Sequence, residues 1–225
     1  MKQIFKEVTA KRLIWMFVGV AMIGVAVSLC RLSGFGTDPF SCMNLGVSAV
    51  IGMEYGTYQL LVNLVLLIPM LVCFRKSIGV GTIVNMAGVG YIADFCMFLW
   101  DKAGITISSV EGLWLARIVF MAAAVVVLCL GVAFYMECNL GIAPYDALAQ
   151  MIELWTKGKL KFSMARIGTD IFCVVIGFCF GSVVGIATVV TAFFTGPLVT
   201  FFRKKVAEPV LGQDTVTEGN STDSP

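Results

Sequence analysis

The stretch GFGTDPFS at residues 34–41 decides the fold, because a closely related stretch, NLGIAPYD, occurs again at residues 139–146. Each copy follows a long apolar segment, and each contains glycine, two further residues, proline and an aromatic residue. Proline is favoured at the first position of a helix, so each copy predicts a turn of irregular backbone that leads into a helix. The two turns predict a chain built from two related halves.

Composition indicates the environment of these halves. Of the 225 residues, 59% are hydrophobic and only 13% are charged, and the mean hydropathy is +0.93. So little polar surface cannot cover a soluble globule, and an integral membrane protein is predicted. The net charge of +2 does not indicate nucleic-acid binding, because the basic residues form short clusters between apolar segments instead of one patch.

The sequence contains no histidine, the usual proton shuttle, metal ligand and base of nucleophilic triads. Its eight cysteines are scattered singly, with no CxxC motif. We therefore expect no enzymatic activity, no metal site and no cofactor.

Six segments have the length and apolarity of membrane spans. They are Ile14–Cys30, Thr57–Phe74, Ile78–Trp100, Leu113–Met136, Met164–Phe180 and Val183–Phe202.

Basic residues set the orientation of these spans. Six spans place four basic clusters on one face of the membrane, at residues 2–12, 75–76, 157–161 and 203–205. Arg31, Lys102 and Arg117 fall on the opposite face. Because cytoplasmic loops carry an excess of Lys and Arg, both termini are predicted to be cytoplasmic.

Three spans in each half require the second half to cross the membrane in the opposite direction from the first. The predicted fold class is an all-α polytopic membrane protein with six transmembrane helices in two inverted three-helix repeats. The predicted divisions are a cytoplasmic N-terminus (1–12), the first repeat (13–102), the inverted second repeat (103–205) and a disordered cytoplasmic tail (206–225).

Each turn leads into a short helix, predicted at Pro39–Ile51 and at Tyr145–Trp155, and Asp38 is the expected cap of the first. A polar stripe that begins at Asp146 and includes three charges runs along the second helix. The charges favour a helix lying at the membrane interface. The Gly-x-x-Pro turns favour a re-entrant half-helix that directs its first N–H groups into the bilayer. The sequence leaves both alternatives open.

Charged residues inside apolar spans are functional candidates, because burying them in lipid is costly. Asp170 lies about two turns into the fifth span and can pair with Arg166, four residues earlier. The alternative for this pair is purely structural, with Arg166 reaching towards the cytoplasmic face. Asp94 has no basic residue within a turn of its helix, so it is expected to face a cavity, to pair with Arg31 or Arg117, or to be protonated.

A solute site would combine both turns with polar residues of the spans. Asp94 and Asp170 are the candidate protonatable or cation-binding positions, and the turns would offer backbone amides. The candidate substrate-binding residues are Gly36, Asp38, Pro39, Asn63, Asn85, Asp94, Gly141, Pro144, Asp146, Arg166, Asp170 and Thr188.

With its two turns, the Gly-Val-Gly-Thr at 79–82 and the Gly-Pro at 196–197, the chain resembles the YitT/YczE group of bacterial integral membrane proteins. The resemblance covers about residues 12–202. The repeat is imperfect at two places. Ile142-Ala143 replace the Thr-Asp of the first copy, and residues 185–188 match residues 79–82 only in part. Because no soluble domain follows the membrane part, the YczE-like kind is expected. The resemblance implies the bacterial cytoplasmic membrane and no particular substrate.

The leading hypothesis is a secondary transporter or exporter of a small solute, because inverted repeats with broken segments in corresponding places are typical of such proteins. The alternative is a non-catalytic membrane scaffold or accessory protein that stabilises a partner. A channel is less favoured, because the sequence shows no ring of like charges. The expected partners are the lipid bilayer and an unidentified small solute, with further copies of the chain as an open alternative.

Overall fold

The computed structural model describes residues 10–211, and this part of the chain is helical without a β-strand. In chain order the helices are α1 (Ala10–Ser33), α2 (Pro39–Ile51), α3 (Tyr55–Cys73), α4 (Val80–Lys102), α5 (Ile107–Glu111), α6 (Trp114–Glu137), α7 (Pro144–Trp155), α8 (Phe162–Cys179), α9 (Ile186–Phe202) and α10 (Glu208–Leu211). A 3₁₀ turn, Arg75–Ser77, precedes α4, and a π-helical segment, Arg203–Ala207, joins α9 to α10.

Six of these helices are long and apolar enough to cross a membrane: α1, α3, α4, α6, α8 and the continuous segment from α9 to α10. Each predicted span falls largely within one of them, so the six-span prediction is confirmed. The short helices are also confirmed, since α2 has the predicted bounds and α7 begins one residue earlier than predicted. The chain is an all-helical, polytopic membrane protein.

The tail differs from its prediction. Disorder was expected from Val206, but helix continues to Leu211. Ala207 and Leu211, four residues apart, are both buried in the main apolar core, which gives this segment a reason to stay helical. Because the tail is polar in its overall composition, this short apolar stripe was not recognised from the sequence. The remainder of the predicted tail, 212–225, and the first nine residues lie outside the described part of the chain.

The antiparallel pair α1 and α6 forms the centre of the bundle. Gly19 lies beside Gly131, whereas Ser33, at the other end of α1, accepts a 2.7 Å hydrogen bond from Arg117 Nε near the start of α6. A Cβ atom on Gly131 would lie 2.8 Å from the Gly19 carbonyl oxygen. Small residues at both positions therefore allow the two backbones to touch, as in many packed membrane helices.

Each turn is held by the beginning of a long helix from the other half of the chain. The Leu140 carbonyl group in the second turn accepts a 2.9 Å hydrogen bond from Gly81 N at the start of α4. The Phe35 carbonyl group in the first turn accepts a 2.9 Å bond from Ala187 N at the start of α9. The two contacts use corresponding residues of the two halves.

Glycine precedes both of these helices for a steric reason. A Cβ atom on Gly79 would overlap the Leu140 carbonyl oxygen, and one on Gly185 would overlap the Phe35 carbonyl oxygen. Both glycines have extended backbones with φ of −147°, so the requirement is close approach and not an unusual φ. Gly81, the third residue of the Gly-Val-Gly-Thr stretch, is at a less restricted position, since the second copy has the fully buried Ala187 there.

We predict that Gly79→Ala and Gly185→Ala each destabilise the protein, because the added methyl group must push the opposite turn away. Overpacking of this kind costs about 1–3 kcal/mol. The measurement is the thermal unfolding midpoint of the purified protein in detergent. Gly112→Ala is the matched control, because nothing lies within 4 Å of the site of its added Cβ. Equal midpoints for all three variants would contradict the proposed role of the turn contacts.

Candidate functional site

A cavity of about 130 Å³ lies in the middle of the bundle, between the first turns of α2 and α7 and the long helices. Its depth follows from two of its polar residues. Asn63 is the ninth of the 19 residues of α3, and Asp170 is the ninth of the 18 residues of α8. The cavity is therefore at the mid-length of two spans and not at either end of them.

The two short helices begin at this cavity. Phe40 and Tyr145, each directly after the proline that starts its helix, stack with ring centroids 4.3 Å apart and planes inclined by 18°. The Tyr145 hydroxyl group also reaches Asp170 at mid-span, so both first turns lie inside the bundle. This placement favours two re-entrant half-helices over the interfacial alternative that the charged stripe favoured.

A network of charged groups joins α7 to α8 on one side of the cavity. Arg166 Nη1 lies 2.9 Å from Asp146 Oδ1, and Arg166 Nε lies 3.4 Å from Asp170 Oδ2. The Tyr145 hydroxyl group donates a 2.5 Å hydrogen bond to Asp170 Oδ1, and the Arg166 guanidinium lies 4.6 Å from the centroid of the Tyr145 ring. The predicted pair of Arg166 and Asp170 is present, but it is one edge of a larger network.

Asp38 lies at the start of α2, and its surroundings differ from those of this network. Its Oδ1 caps the helix by accepting a 3.0 Å hydrogen bond from Ser41 N. None of the ion pairs among residues 10–211 includes Asp38. The corresponding N-cap of α7 is Ala143, which provides no side-chain hydrogen bond. The starts of the two half-helices therefore carry their carboxylates at different positions, Asp38 at the N-cap of α2 and Asp146 within the first turn of α7.

Several neutral polar side chains complete the lining. Asn63 donates from Nδ2 to the Gln59 carbonyl group at 3.0 Å. Three further lining residues, Gln59, Tyr135 and Thr195, carry buried polar atoms without a hydrogen-bond partner. The Tyr135 hydroxyl group lies near the Ala143 backbone without forming a well-aligned bond to it. Buried polar atoms are usually paired, so these groups are suited to a solute or to water.

The structure brings many of the predicted site residues together and places the others elsewhere. The predicted residues that line the cavity are Asp38, Pro39, Asn63, Asn85, Asp146, Arg166 and Asp170. Pro144 begins α7 beside the cavity but does not line it. Gly36 and Gly141 have left-handed backbones, with φ of 92° and 119°, and pack against the starts of α9 and α4. Thr188 belongs to the first of these contacts, beside Gly36.

Asp94 lies away from the cavity. Its Oδ1 is 2.9 Å from Arg31 Nη1, and its Oδ2 accepts a 2.6 Å hydrogen bond from Gly56 N at the start of α3. Of the alternatives for this residue, pairing with Arg31 is therefore the one observed. Asp94 connects α1, α3 and α4 and does not line the central cavity.

Sequence reasoning missed the aromatic part of the site. Phe40 and Tyr145 were noted as repeat features, but their contact was not foreseen. An aromatic residue after each of two corresponding prolines is the signal that could have indicated it. Tyr135 and Thr195 carry no such signal, because a polar tip on an otherwise apolar helix is common among residues that only pack.

The two halves differ beside this cavity. In the first half α3 and α4 pack closely, and a Cβ atom on Gly90 would lie 2.7 Å from Gly56 Cα. In the second half an apolar groove of about 170 Å³ separates α8 from α9. Asp170 borders both this groove and the central cavity. The cavity is therefore bordered by tightly packed helices in the first half and by a groove in the second.

Comparison with known sequences identifies the family. Residues 10–204 match a family of unknown function, DUF6198. The chain belongs to the DUF6198 family. Three relatives share its membrane region: YyaS of Bacillus subtilis is 27% identical over 88% of this chain and 94% of its own length, and an uncharacterised protein of Haemophilus influenzae is 26% identical over 84% and 81%.

The third relative is YczE of Bacillus subtilis, named an uncharacterised membrane protein, which is 22% identical over 87% of each chain. The predicted YczE-like membership is confirmed. No solved structure matches the chain. The geometry of this DUF6198 protein therefore carries the functional argument.

We predict that Tyr145→Phe destabilises the protein by about 1.5–3 kcal/mol, the range for a hydrogen bond to a charged group. The ring stack with Phe40 remains possible, but Asp170 loses a donor in the middle of the bundle. The readout is the thermal unfolding midpoint in detergent. Tyr91→Phe is the matched control, because the Tyr91 side chain is exposed and its closest polar contact, to Thr57, is 3.5 Å long. If both variants unfold alike, the Tyr145–Asp170 contact is not a stabilising part of the site.

Proposed function

We propose that this DUF6198 protein is a secondary transporter or exporter of a small solute. Its site is the central cavity, located between two inverted repeats. The observation that carries the proposal is a polar, charged cavity at mid-span that is bordered by the first turns of two re-entrant half-helices. Broken helices that meet at mid-membrane are the usual architecture of solute sites in secondary transporters.

Corresponding contacts in the two halves support the inverted repeat. Gly81 binds Leu140 as Ala187 binds Phe35, and Asn63 occupies the helical position in α3 that Asp170 occupies in α8. A pair of halves that exchange contacts in this reciprocal way is expected for inverted repeats around a common axis.

The difference between the halves supports a transport cycle. With α3 packed on α4 and α8 separated from α9, the cavity is closed on one side and bordered by a groove on the other. In inverted repeats the two halves can exchange these arrangements, which would move the opening from one side of the cavity to the other. A protein that only holds a partner has no need for a central charged cavity of this kind.

The proposed location is the bacterial cytoplasmic membrane, with both termini in the cytoplasm. The basic clusters support this orientation through the positive-inside rule. Two of the basic residues on the opposite face have structural partners, since Arg31 pairs with Asp94 and Arg117 binds the carbonyl groups of Ser33 and Gly34. Their presence there is explained by folding and does not weaken the charge asymmetry of the loops.

Cysteine accessibility tests whether the cavity is a water-filled path. In a cysteine-free background we predict that Ser41→Cys and Ala143→Cys, which line the cavity, react with a membrane-impermeant methanethiosulfonate reagent. Ala147→Cys is the control, because Ala147 is fully buried against Met70 and Met151. The measurement is the labelling rate from each side of sealed, oriented vesicles. A transporter requires labelling of both cavity positions, with a side preference that changes between its two states.

If neither cavity position reacts from either side, the interior is dry and the transporter proposal fails. A scaffold that uses its polar residues only for packing would then account for the chain.

We predict that Asp170→Asn abolishes transport while the protein still folds, because Asn keeps the size of the side chain and loses its charge at mid-span. The measurement is uptake into proteoliposomes of a mixture of small cations, anions and neutral solutes, with unfolding midpoints measured in parallel. Asp101→Asn, an exposed acid at the end of α4, is the control. Unchanged uptake of every solute that the native protein carries would contradict a role for Asp170 in transport.

A further inference from the structure

The charges that line the central cavity do not balance. Asp38, Asp146 and Asp170 are acidic, and Arg166 is the basic residue among the lining groups of the described chain, so the three carboxylates exceed the single guanidinium by two. Arg166 contacts two of the acids, Asp146 and Asp170. Asp38 accepts a backbone hydrogen bond and forms no ion pair among residues 10–211, and Arg166 acts on it only from beyond ion-pair distance. A charge in the middle of a membrane requires a counter-charge or a proton.

Unpartnered polar atoms among the lining residues indicate that the same cavity binds a ligand. Tyr135 and Gln59 are 2% and 4% exposed, both belong to the cavity lining, and each carries a polar atom that has no hydrogen-bond partner. They belong to α6 and α3, whereas Asp38 precedes α2, so three different elements present polar groups to one space. The observation is independent of the charge count, and it indicates a ligand that offers hydrogen bonds.

The spacing of the acids argues against a bare metal ion. No group of three or more His, Cys, Asp or Glu residues in the described chain is close enough to hold one. The size of the cavity gives a limit of its own, since about 130 Å³ is close to the roughly 150 Å³ cavity that accommodates benzene. A ligand of about six non-hydrogen atoms fills such a space.

We propose that the central cavity binds a small organic cation whose positive charge lies beside Asp38. The inference deepens the proposed transport function and rests on it. The Phe40 ring at the same site provides apolar and cation–π contact for alkyl groups next to the charge, whereas the Tyr145 ring is already stacked on Phe40 and covered by Arg166. The opposite half-helix, α7, has no capping side chain and can direct its first amides to a polar atom at the other end of the ligand.

Charge selectivity is tested with sets of ligands matched in shape. The purified protein is mixed with tetramethylammonium, tert-butanol or pivalate, and separately with butylammonium, butanol or butyrate, and the shift of the unfolding midpoint is measured against ligand concentration. We expect the cation of at least one set to raise the midpoint. The neutral and anionic members should have no effect at the same concentration.

Asp38→Asn isolates the charge, because Asn caps a helix as well as Asp does. We expect this variant to retain its fold and to bind the active cation roughly tenfold more weakly, or not at all. Glu153→Gln, on the outer part of α7 and away from the cavity lining, removes one acid elsewhere and should bind like the native protein. Equal binding by Asp38→Asn and the native protein overturns the inference.

A second measurement does not depend on finding a ligand. Ala143→Cys is treated with a trimethylammonium and with a sulfonate methanethiosulfonate reagent, and the ratio of the two rates is compared with that of Ser108→Cys, an exposed position on α5. We expect the ratio to favour the cationic reagent more strongly at Ala143 by about tenfold. If the two ratios agree, the cavity does not select cations, and the inference is overturned.

The two proposals fail differently. If a neutral or anionic solute is bound and transported while the cations are not, the transporter stands and the cation inference is wrong. If the cavity cysteines are also unreactive from both sides, the transport function is itself contradicted.

Discussion

Backbone hydrogen bonding in a membrane is the constraint on which the rest of this structure depends. Lipid offers no partner for a carbonyl group outside a helix, so irregular backbone is tolerated at depth only where protein satisfies it. The turns before α2 and α7 meet this condition by accepting hydrogen bonds from the first amides of α9 and α4. Those amides are themselves unsatisfied by their own helices. The carbonyl groups of the turns and the first amides of the helices therefore satisfy each other, and each half of the chain depends on the other.

This exchange explains the central cavity. Because the turns are fixed against the other half, the chain can bring the first residues of α2 and α7 into the bundle, where Phe40 stacks on Tyr145. Half-helices that begin inside the bundle leave space between their first turns and the long helices. Polar residues of five spans then line that space, which would be filled by apolar packing if the two helices crossed completely.

Much of the fold could be predicted from the sequence, because apolar length determines spans and Gly-x-x-Pro determines turns. The position of the short helices could not be predicted, since the charged stripe of α7 is compatible with a water-facing surface. In the structure its first member, Asp146, pairs with Arg166 across to α8, a contact between residues 20 positions apart that periodicity does not show. Asp94 was assigned to the site because a carboxylate inside an apolar span is costly, yet it pairs with Arg31, 63 positions away. A charged residue inside a membrane span is important for function or for folding, but its position in the sequence does not distinguish a binding site from a structural ion pair.

The difference between the two turns gives the cavity its direction. In a related pair of half-helices, the partial positive charge at the start of each would be presented equally to the space between them. Asp38 offsets that charge from the N-cap of α2, whereas α7 has Ala143 at its N-cap and carries its acid, Asp146, within the first turn, where it pairs with Arg166. The two ends of the cavity thus hold their acids differently, Asp38 by a backbone amide at α2 and Asp146 by Arg166 at α7. The replacement of Thr-Asp by Ile142-Ala143, which looks like decay of the repeat in sequence, is what makes one end of the site different from the other.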